Sequence, residues 1–289
     1  MAKASSKPTT TILEFDTDKI KAREAEVAQE TDEQIIERLR ERFEILTEMT
    51  KAVKSGDVRA MIVSGPPGVG KSFGVEQVLE KDGLFDKLGE RKPRYEIVKG
   101  AMSAIGLYAK LYEYSDAKNV LVFDDCDSIL MEDLSLNILK GALDSGKKRY
   151  ISWNTDSRIL RSEGIPDRFE FKGAAIFITN IKFAHVRSKK LKDHLDALES
   201  RCHYIDLEMD TNREKILRIK QITMDGMLDA YEFDEPELVR DEILEFIDVN
   251  QDKLRELSLR MVLKIADLRK SFRNNWQAMA RTTCFRRAA

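Results

Sequence analysis

Short apolar runs alternate with stretches of helical spacing between residues 57 and 209. Runs of four to eight apolar residues bounded by turn residues are typical of buried strands, whereas apolar residues three or four apart are typical of amphipathic helices. Five such runs predict strands at 58–64, 95–99, 120–124, 174–179 and 204–207. Because strands that alternate with helices form parallel sheets with helices on both faces, the pattern predicts an α/β three-layer sandwich.

The chain on either side of this region carries helical spacing without strand-like runs. Residues 31–34 (TDEQ) form a capping box, and the apolar residues that follow keep helical spacing as far as Gly56, which can end a helix. A second capping box at 211–214 (TNRE) opens a series of helix-periodic segments. The first thirty residues are polar and have no sustained period, as in disordered segments. The expected organisation is a disordered leader at 1–30, a helix at 31–56, the α/β domain at 57–209, and a small all-helical domain with a C-terminal tail at 210–289.

Composition sets broad limits on the partners. The chain has 289 residues, of which 42% are hydrophobic and 35% charged, and its net charge is −2. This length is sufficient for a sizeable core and about two domains. The balanced charge means that any nucleic-acid contact needs a local basic patch. No apolar run approaches the roughly 18 residues of a membrane span, and the first residues lack the apolar region of a secretory signal. We therefore expect no membrane contact and a cytoplasmic location, which for a viral protein is the host cytoplasm.

The connection after the first predicted strand is rich in glycine. Residues 65–72 fit the phosphate-binding pattern G-x-x-x-x-G-K-[ST] at every fixed position. In such a loop the backbone N–H groups surround the β-phosphate, a lysine reaches the β- and γ-phosphates, and a hydroxyl binds Mg²⁺. A simple Gly/Pro turn is the structural alternative. The pattern favours a nucleoside triphosphate site with Mg²⁺, and its nucleotide-binding residues are Gly65, Pro66, Pro67, Gly68, Val69, Gly70, Lys71 and Ser72.

A second chemical signal is the acidic end of the third predicted strand, in the segment NVLVFDDCD at 119–127. The tip of such a strand lies beside the phosphate-binding loop in an open α/β sheet. We therefore expect Asp124 to hold Mg²⁺ together with Ser72, and Asp125 to polarise the water that attacks the γ-phosphate. An acidic strand end that only caps the next helix is the alternative.

Together with three later segments, these motifs resemble the AAA+ ATPase family over about residues 32 to 275. The loop form GPPGVGKS is typical of that family. IFITN ends at Asn180, ALESRC contains Arg201, and LSLRMVLKIADL contains Arg260. By resemblance, Asn180 is the catalytic polar residue called sensor 1, Arg201 is the catalytic arginine finger, and Arg260 is the nucleotide-binding sensor 2 of a helical lid, with Arg255 as the alternative. The tripeptide SRC looks like the finger motif of clamp loaders, and the chain as a whole resembles bacteriophage-type AAA+ proteins.

The resemblance implies ATP and Mg²⁺ as cofactors and a homo-oligomeric ring or spiral, since the arginine finger of this family acts on the nucleotide of the neighbouring subunit. One residue departs from the pattern. Most members have Glu after the metal-binding Asp, whereas this chain has Asp125, which is one methylene shorter. Slow hydrolysis and a water positioned by Asp127 as well are both compatible with this change. The sequence therefore favours ATP binding more strongly than fast turnover.

The segment at 147–172 bears on the substrate. Its pieces YISW (150–153) and FEF (169–171) predict a β-hairpin, which resembles the hairpin before sensor 1 in AAA+ helicase-type motors. The segment carries seven basic and four acidic side chains, a local charge of +3. Arg158 and Arg161 flank the expected tip, where they are suited to DNA phosphates without reading sequence. An ordinary solvated hairpin is the alternative, and Trp153 either stacks on a base or lies in the core.

Two other functions stay open at this point. Protein-remodelling members carry an aromatic–apolar–glycine pore loop after the second strand, but the segment here, KGAMSAIGLYAKLY, offers Tyr108 without that tripeptide. A nucleotide-controlled scaffold is favoured if Asp125 makes hydrolysis negligible. We therefore expect an ATPase that works on DNA or on a DNA-replication or packaging assembly, with protein remodelling or a scaffold as the alternative.

Overall fold

The computed structural model describes residues 25–88, 93–183, 186 and 188–287, without the side chains of 82–88. The strands of this part of the chain are β1 Ala60–Ser64, β2 Tyr95–Lys99, β3 Val120–Asp124, β4 Tyr150–Ser152, β5 Arg168–Glu170, β6 Ala174–Thr179 and β7 His203–Asp206. Five of them form one parallel sheet in the order β2-β3-β6-β1-β7, whereas β4 and β5 form an antiparallel pair. Each strand of the parallel sheet overlaps a strand predicted from the sequence.

Helices fill the connections of the sheet and the chain after it. Before β7 lie α1 Asp32–Ser55, α2 Lys71–Leu88, α3 Ala104–Glu113, α4 Asp127–Met131, α5 Asp133–Ala142, α6 Arg158–Ser162 and α7 Lys189–Glu199. After β7 follow α8 Asn212–Ile222, α9 Pro236–Val249, α10 Leu259–Ser271 and α11 Trp276–Cys284. Within the described residues, no helix combines the length and the apolar character that crossing a membrane requires. The predicted fold class, an α/β sandwich followed by a helical region, is confirmed.

Side chains of the parallel sheet point alternately into two buried layers, as the two-residue period of a strand requires. Met61 and Val63 of β1 pack on one face against α1 and α2. Ile62 points to the opposite face, where α3, α5 and α7 supply the packing residues. Each fully buried aliphatic side chain stabilises the fold by about 1.5–3 kcal/mol. The sheet is therefore the middle layer of a three-layer sandwich, and its carboxyl edge is fixed from both sides.

The helix α1 begins and ends where its sequence predicts. Gln34 N donates to Thr31 Oγ1 at 3.3 Å, Thr31 N donates to Gln34 Oε1 at 2.8 Å, and Gly56 ends the helix with φ of 88°. Packing begins earlier than expected, because Val27 is buried and its carbonyl accepts a hydrogen bond from Arg213 at 2.7 Å. The last residues of the predicted leader are thus part of the fold, while its residues 1–24 lie outside the described residues.

The helical region after β7 has a core of its own. Buried side chains from the four helices α8 to α11 form it, among them Ile219, Ile243, Phe246, Ile265 and Trp276. The predicted capping box of α8 is present between Thr211 and Glu214. The backbone N–H of Leu259, at the start of α10, donates to the carbonyl of Gly68 at 2.8 Å. The helical region therefore reaches the glycine-rich loop of the sandwich.

The antiparallel pair β4–β5 is the predicted hairpin, and its connection contains a short helix that the sequence pattern does not predict. Arg158 and Arg161 belong to the short helix α6 between the two strands. The reason is local: Ser157 accepts a hydrogen bond from Leu160 N at the start of the helix, and the Leu160 side chain is buried. Both arginines are exposed, and Arg161 forms an ion pair with Asp156 at 2.6 Å.

Two other side chains of the hairpin segment are structural. Trp153 is buried, and the centroid of its ring lies 5.6 Å from that of Tyr108, so it lies in the core as the alternative expected. Arg149 is 8% exposed and donates to the carbonyls of Ala142 and Gly173 at 3.0 and 2.9 Å. Burial lowers the pKa of Arg149 to about 10. The segment therefore presents fewer cations to a partner than the sequence suggests.

Candidate nucleotide-binding site

The glycine-rich loop at 65–70 connects β1 to α2 at the carboxyl edge of the sheet. Gly68 and Gly70 have φ of 71° and 103°, values that L side chains rarely adopt. A Cβ atom on Gly68 would lie 2.7 Å from the Cβ atom of Ser258 in the helical region. Glycine is therefore required here by conformation and by close contact. The loop ends at the N-terminus of α2, where unpaired backbone N–H groups favour an anion.

Lys71 is the first residue of α2 and is 6% exposed. Its Nζ atom donates to the carbonyls of Gly65 and Pro66 at 2.6 and 2.8 Å and to Oδ1 of Asn180 at 2.7 Å. Burial lowers the pKa of Lys71 to about 8, although the charge of Asp125 acts in the opposite direction. All three hydrogen-bond acceptors are uncharged. A phosphate group would therefore supply a close counter-charge that this lysine lacks.

Ser72 and Asp124 meet at the end of β3. The Ser72 hydroxyl donates to Asp124 Oδ1 at 2.8 Å, and Asp124 is 5% exposed. Hydroxyl and carboxylate oxygens are ligands that Mg²⁺ prefers, and this ion usually takes one or two protein carboxylates together with waters and substrate phosphates. The pair fits the requirements of the Mg²⁺ site expected from the sequence.

Asp125 and Asn180 extend the site across the neighbouring strands β3 and β6. Asn180 Nδ2 donates to Asp125 Oδ1 at 2.9 Å, while Asn180 Oδ1 accepts from Lys71. Asp125 has φ of 53°, in the left-handed region, and its backbone N–H donates to Ile178 O at 3.0 Å. Although 109 positions separate Lys71 from Asn180 in the sequence, the fold joins them and Asp125 in one hydrogen-bonded chain.

Asp127 has a different environment. Its Oδ1 atom accepts from the Thr179 hydroxyl at 2.7 Å, and the same hydroxyl oxygen accepts from Ile181 N at 3.0 Å. Burial raises the pKa of Asp127. Among the described residues that line the adjoining cavity, Asp125 is present and Asp127 is absent. Asp127 therefore connects α4 to the end of β6, whereas Asp125 lines the cavity.

A cavity of about 780 Å³ lies between the glycine-rich loop and the helical region. Lys71, Ser72, Asp125 and Asn180 form part of its polar lining, and Arg260 of α10 lines it as well. The alternative residue Arg255 lines a separate cavity of about 280 Å³. Apolar side chains of the helical region complete the lining, among them Ile222, Met227 and Leu263. The cavity thus offers polar groups for phosphates and apolar surface for a flat ring.

Sequence reasoning missed two charged residues beside this site. Glu76 lines the cavity one helical turn after Ser72, so helical spacing from the motif was a usable signal. Lys99 ends β2, and its Nζ atom lies 2.7 Å from Glu76 Oε1 and 3.5 Å from Asp124 Oδ2. Its position depends on the pairing of β2 with β3, for which the motifs carry no signal.

Arg201 is absent from the described lining of the cavity. It follows α7, and its Nη1 atom donates to the carbonyl of Ala197 and to the hydroxyl of Ser200. The structure therefore brings together the glycine-rich loop, the acidic end of β3, Asn180 and Arg260, but not Arg201.

No family model matches this chain. Among solved structures, NtrX from Brucella abortus in complex with ATP aligns with 92% of this chain at 12% sequence identity and a TM-score of 0.48, and this chain spans 57% of the NtrX chain. Domain III of the Thermotoga maritima replication initiation protein DnaA aligns with 80% of this chain at 16% identity and a TM-score of 0.44, and this chain spans 84% of that domain.

A sequence relative is the uncharacterized 36.7 kDa protein from the nrdC-mobD intergenic region of Enterobacteria phage T4. The two sequences are 34% identical over 258 residues, which cover 88% of this chain and 77% of the phage protein. Identity at this level over most of both chains is evidence of common descent. The chain therefore belongs to the same family as this phage T4 protein.

Proposed function

We propose that the protein is a Mg²⁺-dependent ATPase of the AAA+ type, which binds ATP between the glycine-rich loop and the helical region after β7, here called the lid. The observation that carries the proposal is the hydrogen-bonded chain from Lys71 through Asn180 to Asp125. It lies beside the Ser72–Asp124 pair and a cavity of about 780 Å³. If this loop were only a Gly/Pro turn that binds no ligand, the fold would not require a buried lysine at its end.

The binding step uses groups that the chain already orients. The loop N–H groups and Lys71 hold the β- and γ-phosphates, and Arg260 of the lid adds a positive charge at the same cavity. Mg²⁺ held by Ser72 and Asp124 would offset the negative charge that grows on the phosphates during transfer. ATP binding would thereby connect the lid to the sandwich.

Asp125 is the residue that we assign to the attacking water. Its carboxylate lines the cavity, and the amide of Asn180 fixes its orientation at 2.9 Å. A carboxylate in this position accepts a proton from the water and turns the oxygen toward the γ-phosphate. Because Asp is one methylene shorter than Glu, the water must lie closer to the end of β3, and we expect slow rather than fast turnover.

The proposal includes an assembly of identical subunits. A guanidinium that bridges two oxygens of the transferring phosphoryl group stabilises the charge that develops there. Arg201 is the candidate for this role, and its absence from the described lining of its own cavity supports action on the nucleotide of a neighbouring subunit. A ring or an open spiral gives each subunit such a neighbour.

Subunit mixing tests hydrolysis and the shared site together. We expect Arg201→Ala to keep ATP binding and to lower turnover by a factor of the order of 10³ to 10⁵, the effect of arginine fingers in other phosphoryl-transfer proteins. We expect Lys71→Ala to be inactive for lack of bound nucleotide. A mixture of the two regains phosphate release, since some interfaces combine an intact Lys71 with an intact Arg201.

The control for that mixture is Lys192→Ala, which removes an exposed cation from α7, the helix before Arg201, and should hydrolyse ATP at the parent rate. Native mass spectrometry reports whether mixed assemblies form. If mixed assemblies are present and phosphate release does not recover, the shared active site is wrong.

We further propose that this ATPase works on DNA, in a replication or packaging assembly. The exposed arginines of the hairpin segment, Arg158, Arg161 and Arg168, favour a phosphate backbone as partner. Protein remodelling is less favoured, because Tyr108 is fully buried and its hydroxyl donates to Pro166 O at 2.9 Å. A protein partner or a scaffold role takes precedence if DNA neither binds nor stimulates hydrolysis.

A further inference from the structure

Both carboxylate oxygens of Asp124 have partners on this chain. Oδ1 accepts from the Ser72 hydroxyl at 2.8 Å, and Oδ2 lies 3.5 Å from the ammonium group of Lys99. Lys99 is the last residue of β2 and pairs with Asp124 in the parallel register. A positive charge therefore lies against the carboxylate that is assigned to the metal.

Lys99 has a second and closer partner in Glu76. Its Nζ atom donates to Glu76 Oε1 at 2.7 Å, and Glu76 lines the cavity one turn after Ser72 on α2. A lysine side chain carries its charge at neutral pH. Lys99 is thus shared unequally between a carboxylate at the proposed metal position and a carboxylate beside it.

We infer that Lys99 is a positioning residue of the proposed Mg²⁺ site, and that it makes metal binding depend on the nucleotide. The inference rests on the proposed function. Without nucleotide, the ammonium group offsets the charge of Asp124, so the carboxylate binds a divalent cation weakly. When the phosphates of a nucleotide arrive with the metal, their negative charge outweighs this repulsion, and Glu76 keeps Lys99 beside the site.

Glu76 has a defined part in this arrangement. It draws Lys99 away from full contact with Asp124, since the Lys99–Glu76 distance is 2.7 Å and the Lys99–Asp124 distance is 3.5 Å. If Glu76 lost its charge, Asp124 would be the acidic partner left to Lys99, and the ammonium group would move closer to it. Loss of Lys99 and loss of Glu76 therefore have opposite effects on metal affinity.

The test measures Mn²⁺ binding to the nucleotide-free protein from the paramagnetic resonance signal of free Mn²⁺, an ion that binds oxygen ligands as Mg²⁺ does. We expect Lys99→Met to bind Mn²⁺ about thirtyfold more tightly than the parent, as expected for removal of one unit charge about 4 Å from a divalent ion in water-like surroundings. Lys99→Arg keeps the charge and should keep the parent affinity. Glu76→Gln should bind more weakly than the parent.

A double variant separates the role of Glu76 from its own charge. If Glu76 acts through Lys99, the change from Glu to Gln weakens Mn²⁺ binding less in the Lys99→Met background than in the parent. Lys110→Met is the matched control, because Lys110 also links two carboxylates, Glu96 and Glu113, but lies on α3. We expect it to leave Mn²⁺ affinity unchanged.

Asp124→Asn distinguishes failure of the inference from failure of the proposed function. If this variant loses Mn²⁺ binding and Lys99→Met binds no more tightly than the parent, the role of Lys99 is wrong and the metal site stands. If Asp124→Asn binds Mn²⁺ as the parent does, the ion is not held at Asp124, and both the inference and the proposed metal site are wrong. Lys99 is 59% exposed, so its substitutions should leave the fold intact. Thermal unfolding verifies this for every variant, including the one at the buried Asp124.

Discussion

The carboxyl group of Asp206 lies at the end of β7, and its Oδ1 atom is buried without a hydrogen-bond partner among the described residues. Burial, together with the charge of Glu208, raises the pKa of Asp206 to about 6, although the charge of Lys182 acts in the opposite direction. In the unfolded chain an aspartate titrates near 3.9. The stability that the protonated form provides is therefore present below about pH 4 and is lost as the pH rises through about 6.

The substitution Asp206→Asn tests whether the raised pKa of Asp206 lowers stability at neutral pH. We expect the variant to have a higher midpoint of thermal unfolding than the parent at pH 7.5, because the amide carries no charge to desolvate. The advantage should be about half as large at pH 5, which lies midway between the two pKa values: the folded parent then carries a protonated Asp206, whereas the unfolded chain is still mostly ionised. The exposed residue Asp193 provides the control, since Asp193→Asn should shift the midpoint little at either pH. An equal gain for Asp206→Asn at both pH values contradicts the assignment.

Individual residues of the candidate site differ in how far the sequence predicts them. Lys71 and Ser72 follow from the spacing of one loop, and Asp124 and Asp125 follow from an acidic strand end. The hydrogen-bond partners of these residues do not follow from the sequence. The sequence also leaves the part of Asp127 open, because its bond to Thr179 exists only once β3 and β6 lie side by side.

At the scale of elements, strand limits and helix caps are local properties and are predicted well, whereas the connection between β4 and β5 is not. Five residues form α6 there because Leu160 finds a buried position, which depends on the surrounding fold. The consequence for function is that Arg158 and Arg161 are carried on one short exposed helix. They are close in the sequence and can contact neighbouring phosphates.

The double variant Arg158→Glu/Arg161→Glu tests DNA binding by this element. In fluorescence anisotropy titrations with single-stranded DNA at about 50 mM salt, we expect weaker binding and a plot of log affinity against log salt whose slope is smaller by about 1.4, or about 0.7 for each lost phosphate contact. DNA stimulation of ATP hydrolysis should be lost while basal hydrolysis persists.

The control for this experiment is a double variant that makes the same change of charge in the lid. Lys264→Glu/Arg273→Glu replaces two exposed cations, each of which has one acidic partner, as Arg161 has. This variant should bind DNA as the parent does. If both double variants weaken binding equally, or if the parent binds no DNA, the hairpin is not the DNA contact.

In the whole molecule, three parts of the chain lie together at the candidate site: the glycine-rich loop, the helix α1 and the lid. The loop residue Val69 packs in one buried cluster with Ile35 and Leu39 of α1 and with Leu217 of α8. The lid approaches the same loop through the hydrogen bond from Leu259 N to Gly68 O at 2.8 Å. Helical periodicity predicts these helices but not their contacts, since packing between distant elements leaves no local spacing to read.

The motifs predict most of the polar residues that line the cavity, but they do not predict the cavity itself. Met227 and Leu263 come from separate parts of the lid, and neither belongs to a motif. The sequence offers both Arg260 and Arg255 as sensor 2. Only the orientation of α10 against the loop brings Arg260 to the cavity. The lid therefore determines the shape of the site, and the motifs determine its chemistry.

Titration calorimetry with ATP and Mg²⁺, combined with an assay of phosphate release, tests directly whether this site binds and hydrolyses ATP. We expect Asp125→Asn to bind ATP and to release no γ-phosphate, because the amide keeps the shape of the side chain and loses its basic oxygen. Adding Lys71→Ala should weaken ATP binding by at least about thirtyfold, the equivalent of about 2 kcal/mol for a lost buried charge contact. Equal ATP affinity with and without Lys71, or no ATP binding by Asp125→Asn, would contradict the proposed roles of these residues in an ATP site.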